Sequence, residues 1–388
     1  MMMVMMMMMM RIMWRTALLV ALVMLGAAPA RSDTVSSEAA RFTVEEVATG
    51  LEHPWGLAVL DDGRMLVTEK PGRLRMIGKD GKVGPPIKGV PEVDSRGQGG
   101  LLDVALDPEF ASNRLIYLTF SQPDGSGRNG TAALRGRLSD DAMALVDPTI
   151  IFAQKPKVTS TGHYGSRLVF DGSGNLFVTM GERQQERFRG QAQDLGSHLG
   201  KVVRIRPDGS VPAGNPFASK AGALPEIWTY GHRNVQAAAI NPASGELWTI
   251  EHGPRGGDEV NIDRPGLNFG WPLVSYGINY DGSPVNKGAR TMAGVTPPIY
   301  QWTPVIAPSG MIFYSGAAFP GWQGNLFVGG LAAGALVRLV LDGDRISHEE
   351  RLLGSRGERI RDVAQAPDGS LLVITDESNG KVVRLAPG

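Results

Sequence analysis

Cysteine is absent from the 388-residue chain, which excludes disulfide staples, thiolate catalysis and cysteine-ligated zinc and leaves oxygen or imidazole as metal ligands. Neither charge sign is in excess: 39 Lys plus Arg balance 39 Asp plus Glu. Without a basic surplus the chain carries no electrostatic footprint for nucleic acid. Sustained helical periodicity is nearly missing, and so is a convincing nicotinamide fingerprint. A long apolar run occurs near the start, Ala17 to Ala28, after Arg11 and Arg15 and before Ala28-Pro29-Ala30. This pattern reads as a secretory signal over residues 1–30, too short for stable membrane insertion. The methionine run before Arg11 has no structural reading, and Met10 or Met13 is the expected start. The mature chain then begins near Arg31 and is expected in the periplasm or secreted.

With 51 Gly and 26 Pro, the rest reads as short strands separated by turns. One pattern recurs: an alternating apolar run, a turn rich in Gly, Asp, Asn or Pro, then a second strand of β-branched and aromatic residues. Its copies span residues 56–69, 102–120, 167–182, 237–253, 311–330 and 363–377. Third strands follow most of them, at 72–77, 200–205, 258–262, 335–341 and 381–385. A lone hairpin is marginal, whereas related sheets around an axis bury their faces against one another. The expected fold is therefore all-β, a six-bladed β-propeller with four-stranded antiparallel blades over residues 31–388. A two-sheet sandwich is the structural alternative. Residues 264–300 read as an elaborated loop of the fourth blade.

Polar residues recur in one phase, just before the first strand of a repeat: Gln98, His163, Arg233 with Asn234, and Arg359 with Arg361. Equivalent propeller loops lie on one face and converge on the axis, so these residues should share a pocket. Taken singly, His163 is as well explained by packing, and each arginine by a surface ion pair. Their common phase is what separates them from scattered surface residues. A second constellation is EHGPRGGDEVN at 251–261 with LNFGWP at 267–272. It offers main-chain carbonyls and carboxylates of the kind a hard cation requires, or simply a solvated Gly-rich turn.

In order, the motifs HPWGLA (53–58), GQGGLLDVALDP (97–108), GHYGSRLVF (162–170), GHRN (231–234), EHGPRGGDEVN, NFGWP, APSG (307–310) and RIRDVAQAPDGSLLVITD (359–376) resemble the soluble quinoprotein glucose/sorbosone dehydrogenase family, in its periplasmic aldose sugar dehydrogenase branch. The resemblance implies oxidation of aldoses with pyrroloquinoline quinone and Ca²⁺. It makes His163 the general base, puts Gln98, Arg233, Asn234 and Tyr280 against the quinone, and Arg359 and Arg361 near its carboxylates. It assigns catalytic Ca²⁺ to the carbonyls of Gly253 and Pro254, and a further Ca²⁺ to Glu259 and the Phe269 carbonyl. An aldose substrate and an unspecified periplasmic electron acceptor are the implied partners. One departure stands out: some relatives carry a cation where this chain has Ala332 and Ala333.

The residue types suit the chemistry, since a neutral imidazole can take the anomeric hydroxyl proton while hydride leaves the same carbon. A Ca²⁺-dependent lactonase-type hydrolase would need several Asp, Asn and Glu side chains around the axis, whereas this chain presents Arg, Gln and His. A non-enzymatic carbohydrate-binding propeller is supported only by the Ala332 departure.

Overall fold

The computed structural model describes residues 33–388, so the signal expected over residues 1–30 lies outside the described residues. Six antiparallel sheets are present. Blade 1 runs from Pro54–Val59 outward to Val83–Pro86, blade 2 from Leu101–Leu106 to Leu145–Ala153, and blade 3 from Leu168–Phe170 to Ile227–Tyr230. Blade 4 runs from Val235–Ile240 to Tyr300–Trp302, and blade 5 from Pro308–Phe313 to Arg345–Leu352. Each of these has four strands. Blade 6 departs from that count: its sheet of five holds Ile360–Gln365, Leu371–Thr375 and Gly380–Pro387, then Arg41–Leu51 and Asp33–Ser36 from the start of the described chain. Consecutive inner strands touch, and Pro54–Val59 contacts both Leu101–Leu106 and Ile360–Gln365, so the ring is closed. Closure packs each sheet face against a neighbouring blade and leaves only short edges.

Second strands such as Met65–Glu69 and Leu371–Thr375 are buried along their whole length. The reason is that each sheet is covered on both faces by its neighbours. The apolar core accordingly falls into wedges between blades. Leu66 and Leu74 pack with Leu101 and Phe120 between blades 1 and 2, and Phe42, Trp322 and Phe327 meet Val373 between blades 5 and 6.

Hydroxyls stitch neighbouring inner strands. Thr119 Oγ1 accepts from Asp103 N at 2.9 Å and donates to Ser166 O at 2.7 Å, and Thr179 Oγ1 accepts from Arg167 N at 2.9 Å and donates to Val235 O at 2.8 Å. These are threonines of the repeated second strand, so one side chain closes two buried backbone groups in adjacent blades. Nearer the axis, Arg167 Nη1 lies 2.8 Å from Asp103 and 3.0 Å from Asp362, all buried. Burial, and the second carboxylate, push Asp103 up to about 7 despite Arg167.

Candidate active site

The loop before blade 3 turns sharply. Gly165 has φ +63, and a Cβ there would sit 2.6 Å from the Met180 backbone, so glycine is required. His163 itself adopts φ 49, a costly conformation for a side chain with a Cβ. Its backbone N–H donates to Gln98 Oε1 at 2.8 Å, and its Nδ1 lies 3.1 Å from Glu182 Oε1. A carboxylate partner fixes the proton on Nδ1 and leaves Nε2 as the lone-pair nitrogen. Burial and the nearby Arg233 charge outweigh Glu182 and lower the His163 pKa below its ordinary 6.5. The imidazole is neutral at pH 7. Glu182 stands just after the second strand of blade 3, and sequence reading missed it; its place beside the His163 loop was readable only from blade geometry.

Arg233 is buried and donates from Nη1 to His252 O at 3.0 Å and to Gly253 O at 2.6 Å. Its guanidinium lies 5.2 Å from the Trp271 ring centroid and 3.4 Å from the exposed Tyr280 hydroxyl. Its backbone N–H donates to Glu251. Glu251 in turn accepts from His232 Nδ1 at 2.9 Å, so the neighbouring histidine of the motif is a prop beneath the loop. Burial would neutralise His232, yet Glu251 and Asp263 raise its pKa to about 9 and keep it charged. Asn234 accepts from Gly165 N at 3.0 Å, tying the blade 4 loop to the His163 loop.

His252, not singled out from the sequence, lies among these groups. Burial and the fields of His163, Arg233 and Arg361 lower its pKa to about 3, and its Nε2 bonds the Pro308 carbonyl. On the blade 6 side, Arg361 is buried and bonds Asp376 and, at 2.8 Å, Gln236. Arg359 is half exposed, donates to Leu331 O at 3.3 Å and lies 3.7 Å from Asp376. Ala332 and Ala333 occupy the facing turn and place no charge there.

Gly253, Pro254, Glu259 and Phe269 line one recess with Arg233 and Trp271. The space within it is about 10 Å³, room for one water-sized sphere. A Cβ on Gly253 would sit 2.2 Å from Gly257 O, so the backbone approaches as only glycine allows. Burial and the neighbouring Glu251 carboxylate push the Glu259 pKa well above the usual range. A cation beside it would remove that penalty. Among the described residues no cluster of three His, Cys, Asp or Glu could hold a metal ion.

Several buried polar atoms have no partner among the described residues: Arg233 Nε, Asn234 Nδ2, Arg361 Nε and Glu182 Oε2. Unpaired buried polar groups are costly, and a bound ligand would complete those that face the pocket. The structure thus gathers Gln98, His163, Arg233, Asn234 and Tyr280 by direct or one-step contacts, and links Arg359 and Arg361 through Asp376.

The glucose/sorbosone dehydrogenase family model matches residues 51–384. Over 351 residues the chain is 46% identical to an aldose sugar dehydrogenase of Escherichia coli K12, covering 90% of this chain and 94% of that protein. The solved apo-form of the soluble aldose sugar dehydrogenase from Escherichia coli superposes with a TM-score of 0.86 at 45% identity, covering 89% of this chain and 100% of that one. The PQQ-bound aldose sugar dehydrogenase of Streptomyces coelicolor superposes with a TM-score of 0.73 at 28% identity, covering 89% and 98%.

Proposed function

The chain belongs to the glucose/sorbosone dehydrogenase family, and we propose that it oxidises aldoses at the anomeric carbon to lactones, with pyrroloquinoline quinone and Ca²⁺ and with His163 as general base. The observation that carries this reading is the neutral, carboxylate-oriented His163 set among orphaned buried donors from blades 4 and 6. The quinone, when bound, supplies the two-electron acceptor for the hydride, and Ca²⁺ supplies Lewis acidity at its carbonyl.

The residues fit such a group. Asn234 Nδ2 and Arg233 Nε are donors awaiting an acceptor, and Gln98, Tyr280, Arg359 and Arg361 complete the proposed contacts. His163 Nε2 takes the hydroxyl proton as the C–H hydride departs, and Glu182 stabilises the imidazolium so formed. Arg233 holds positive charge where negative charge accumulates during transfer. The Gly253 carbonyl already accepts from Arg233, and its second lone pair stays available to a cation shared with Pro254. Glu259 and Phe269 also line an adjoining cavity with Val274, Tyr276 and Arg290, and on that side Glu259 and the Phe269 carbonyl form the second proposed Ca²⁺ site.

We propose further that residues 1–30 direct export and that 31–388 act as one propeller domain in the periplasm or outside the cell, passing electrons to an acceptor there. No helix of the described residues is long and apolar enough to cross a membrane. The test is reconstitution: chelated apoprotein should reduce a dye with an aldose panel only after both quinone and Ca²⁺ are added. Equal activity without either addition overturns the assignment.

A further inference from the structure

Propeller pseudo-symmetry singles out Lys70. The residue after the second strand donates its N–H to a loop carbonyl at the mouth in four blades: Lys70 to His53, His252 to Asn234, Leu331 to Ala307 and Asp376 to Arg359. These four positions are therefore equivalent. In blade 4 the position carries a carbonyl that receives Arg233, and in blade 6 it carries the carboxylate that holds Arg361. Blade 5 places the apolar Leu331 there, followed by Ala332 and Ala333. Blade 1 alone of the four presents an ammonium.

That ammonium is half-buried and under-used. Nζ donates once, at 2.6 Å, to the carbonyl of Gly97, the residue before Gln98, and makes no salt bridge with a carboxylate among the described residues. An ammonium has three donors. On its other side His53, whose carbonyl accepts the Lys70 N–H, bonds Asp376 through Nδ1 at 3.1 Å. Lys70 thus stands between the Gln98 loop and the group of Asp376, Arg359 and Arg361, within the field of Asp376 and Arg361. Asp376 is shared by Arg361 and Arg359, so Lys70 Nζ has no carboxylate of its own among the described residues.

We propose that Lys70, with Arg359 and Arg361, forms a cationic cradle that binds a carboxylate of the redox cofactor, supplying from blade 1 the charge that blade 5 lacks. The inference rests on the quinone reading above. Burial lowers the Lys70 pKa, and an arriving carboxylate would offset that cost.

The test is equilibrium titration of apoprotein with the quinone, followed by tryptophan fluorescence, for wild type, Lys70→Met and Lys70→Arg. A parallel titration uses the methyl-esterified quinone, which lacks the carboxylates. Loss of a charge-assisted contact should raise the Lys70→Met Kd about tenfold or more, while Lys70→Arg stays within about threefold of wild type. For the ester, wild type and Lys70→Met should bind alike. The inference is overturned if Lys70→Met binds the free acid like wild type, or loses the acid and the ester equally, as a mere prop for the Gly97 loop would. If wild type shows no saturable binding of the quinone, the functional reading fails first, a result distinct from these.

Discussion

His163 Nδ1 lies 3.1 Å from Glu182 Oε1, with both side chains sealed from solvent. The carboxylate selects the tautomer, and the tautomer decides which ring nitrogen can accept a proton. Because burial and Arg233 lower the His163 pKa, the base stays unprotonated to below pH 6.5, and activity should fall only as pH drops further.

Glu182→Gln should lower kcat by about 10²-fold or more, since a neutral amide neither enforces the tautomer nor balances the imidazolium. Its acid limb should move to lower pH, because Glu182 raises the His163 pKa and its charge is gone. A pH profile of kcat/KM with an unchanged acid limb would count against this role, and a loss of melting temperature alone would assign the pair to packing.

Asp376 gives a second, independent pH signature. Burial would raise its pKa, but Arg361 and His53 hold it at about 2, below the ordinary 3.8. The folded state therefore favours the ionised form. Its contribution is complete above pH 3.8 and is lost as pH falls towards 2, amounting to about 2 kcal/mol. Urea unfolding of Asp376→Asn should show less acid sensitivity than wild type over that window. At pH 7 the variant should be less stable by about 3 kcal/mol, because Arg361 is left buried without its carboxylate. Parallel stability curves for the two proteins contradict the pairing.

Ring closure predicts an effect far from the site. Phe42, on the strand that completes blade 6, is fully buried with its ring centroid 5.6 Å from that of Trp322. Phe42→Ala should cost about 3–5 kcal/mol of stability. Calorimetry giving a melting temperature equal to wild type would mean that this strand does not hold the ring.

The blades were legible because each repeat carries its own period-2 pattern and turn, and DEVNI at 258–262 is a strand from end to end. The strand Arg41–Leu51 was not, because its pairing with Gly380–Pro387 spans the whole chain and leaves no local signal. At the site, phase in the repeat pointed to Gln98, His163 and Arg233, whose contacts follow from loop convergence. Phase could not tell His163 from His232, since both belong to Gly-His motifs. What separates them is charge environment: His163 meets one carboxylate and an arginine, His232 two carboxylates. Glu182, His252, Lys70 and Asp376 follow second strands, and their nearness to the mouth is a property of blade packing.

The most direct measurement is anaerobic single turnover of quinone-loaded, Ca²⁺-loaded protein mixed with an aldose, following the spectrum of the bound quinone and the lactone formed. Wild type should reduce its quinone and release lactone in equal amount. His163→Gln, loaded to the same extent, should do so about 10²- to 10⁴-fold more slowly with quinone affinity retained. Reduction of the quinone by His163→Gln at the wild-type rate would contradict the account.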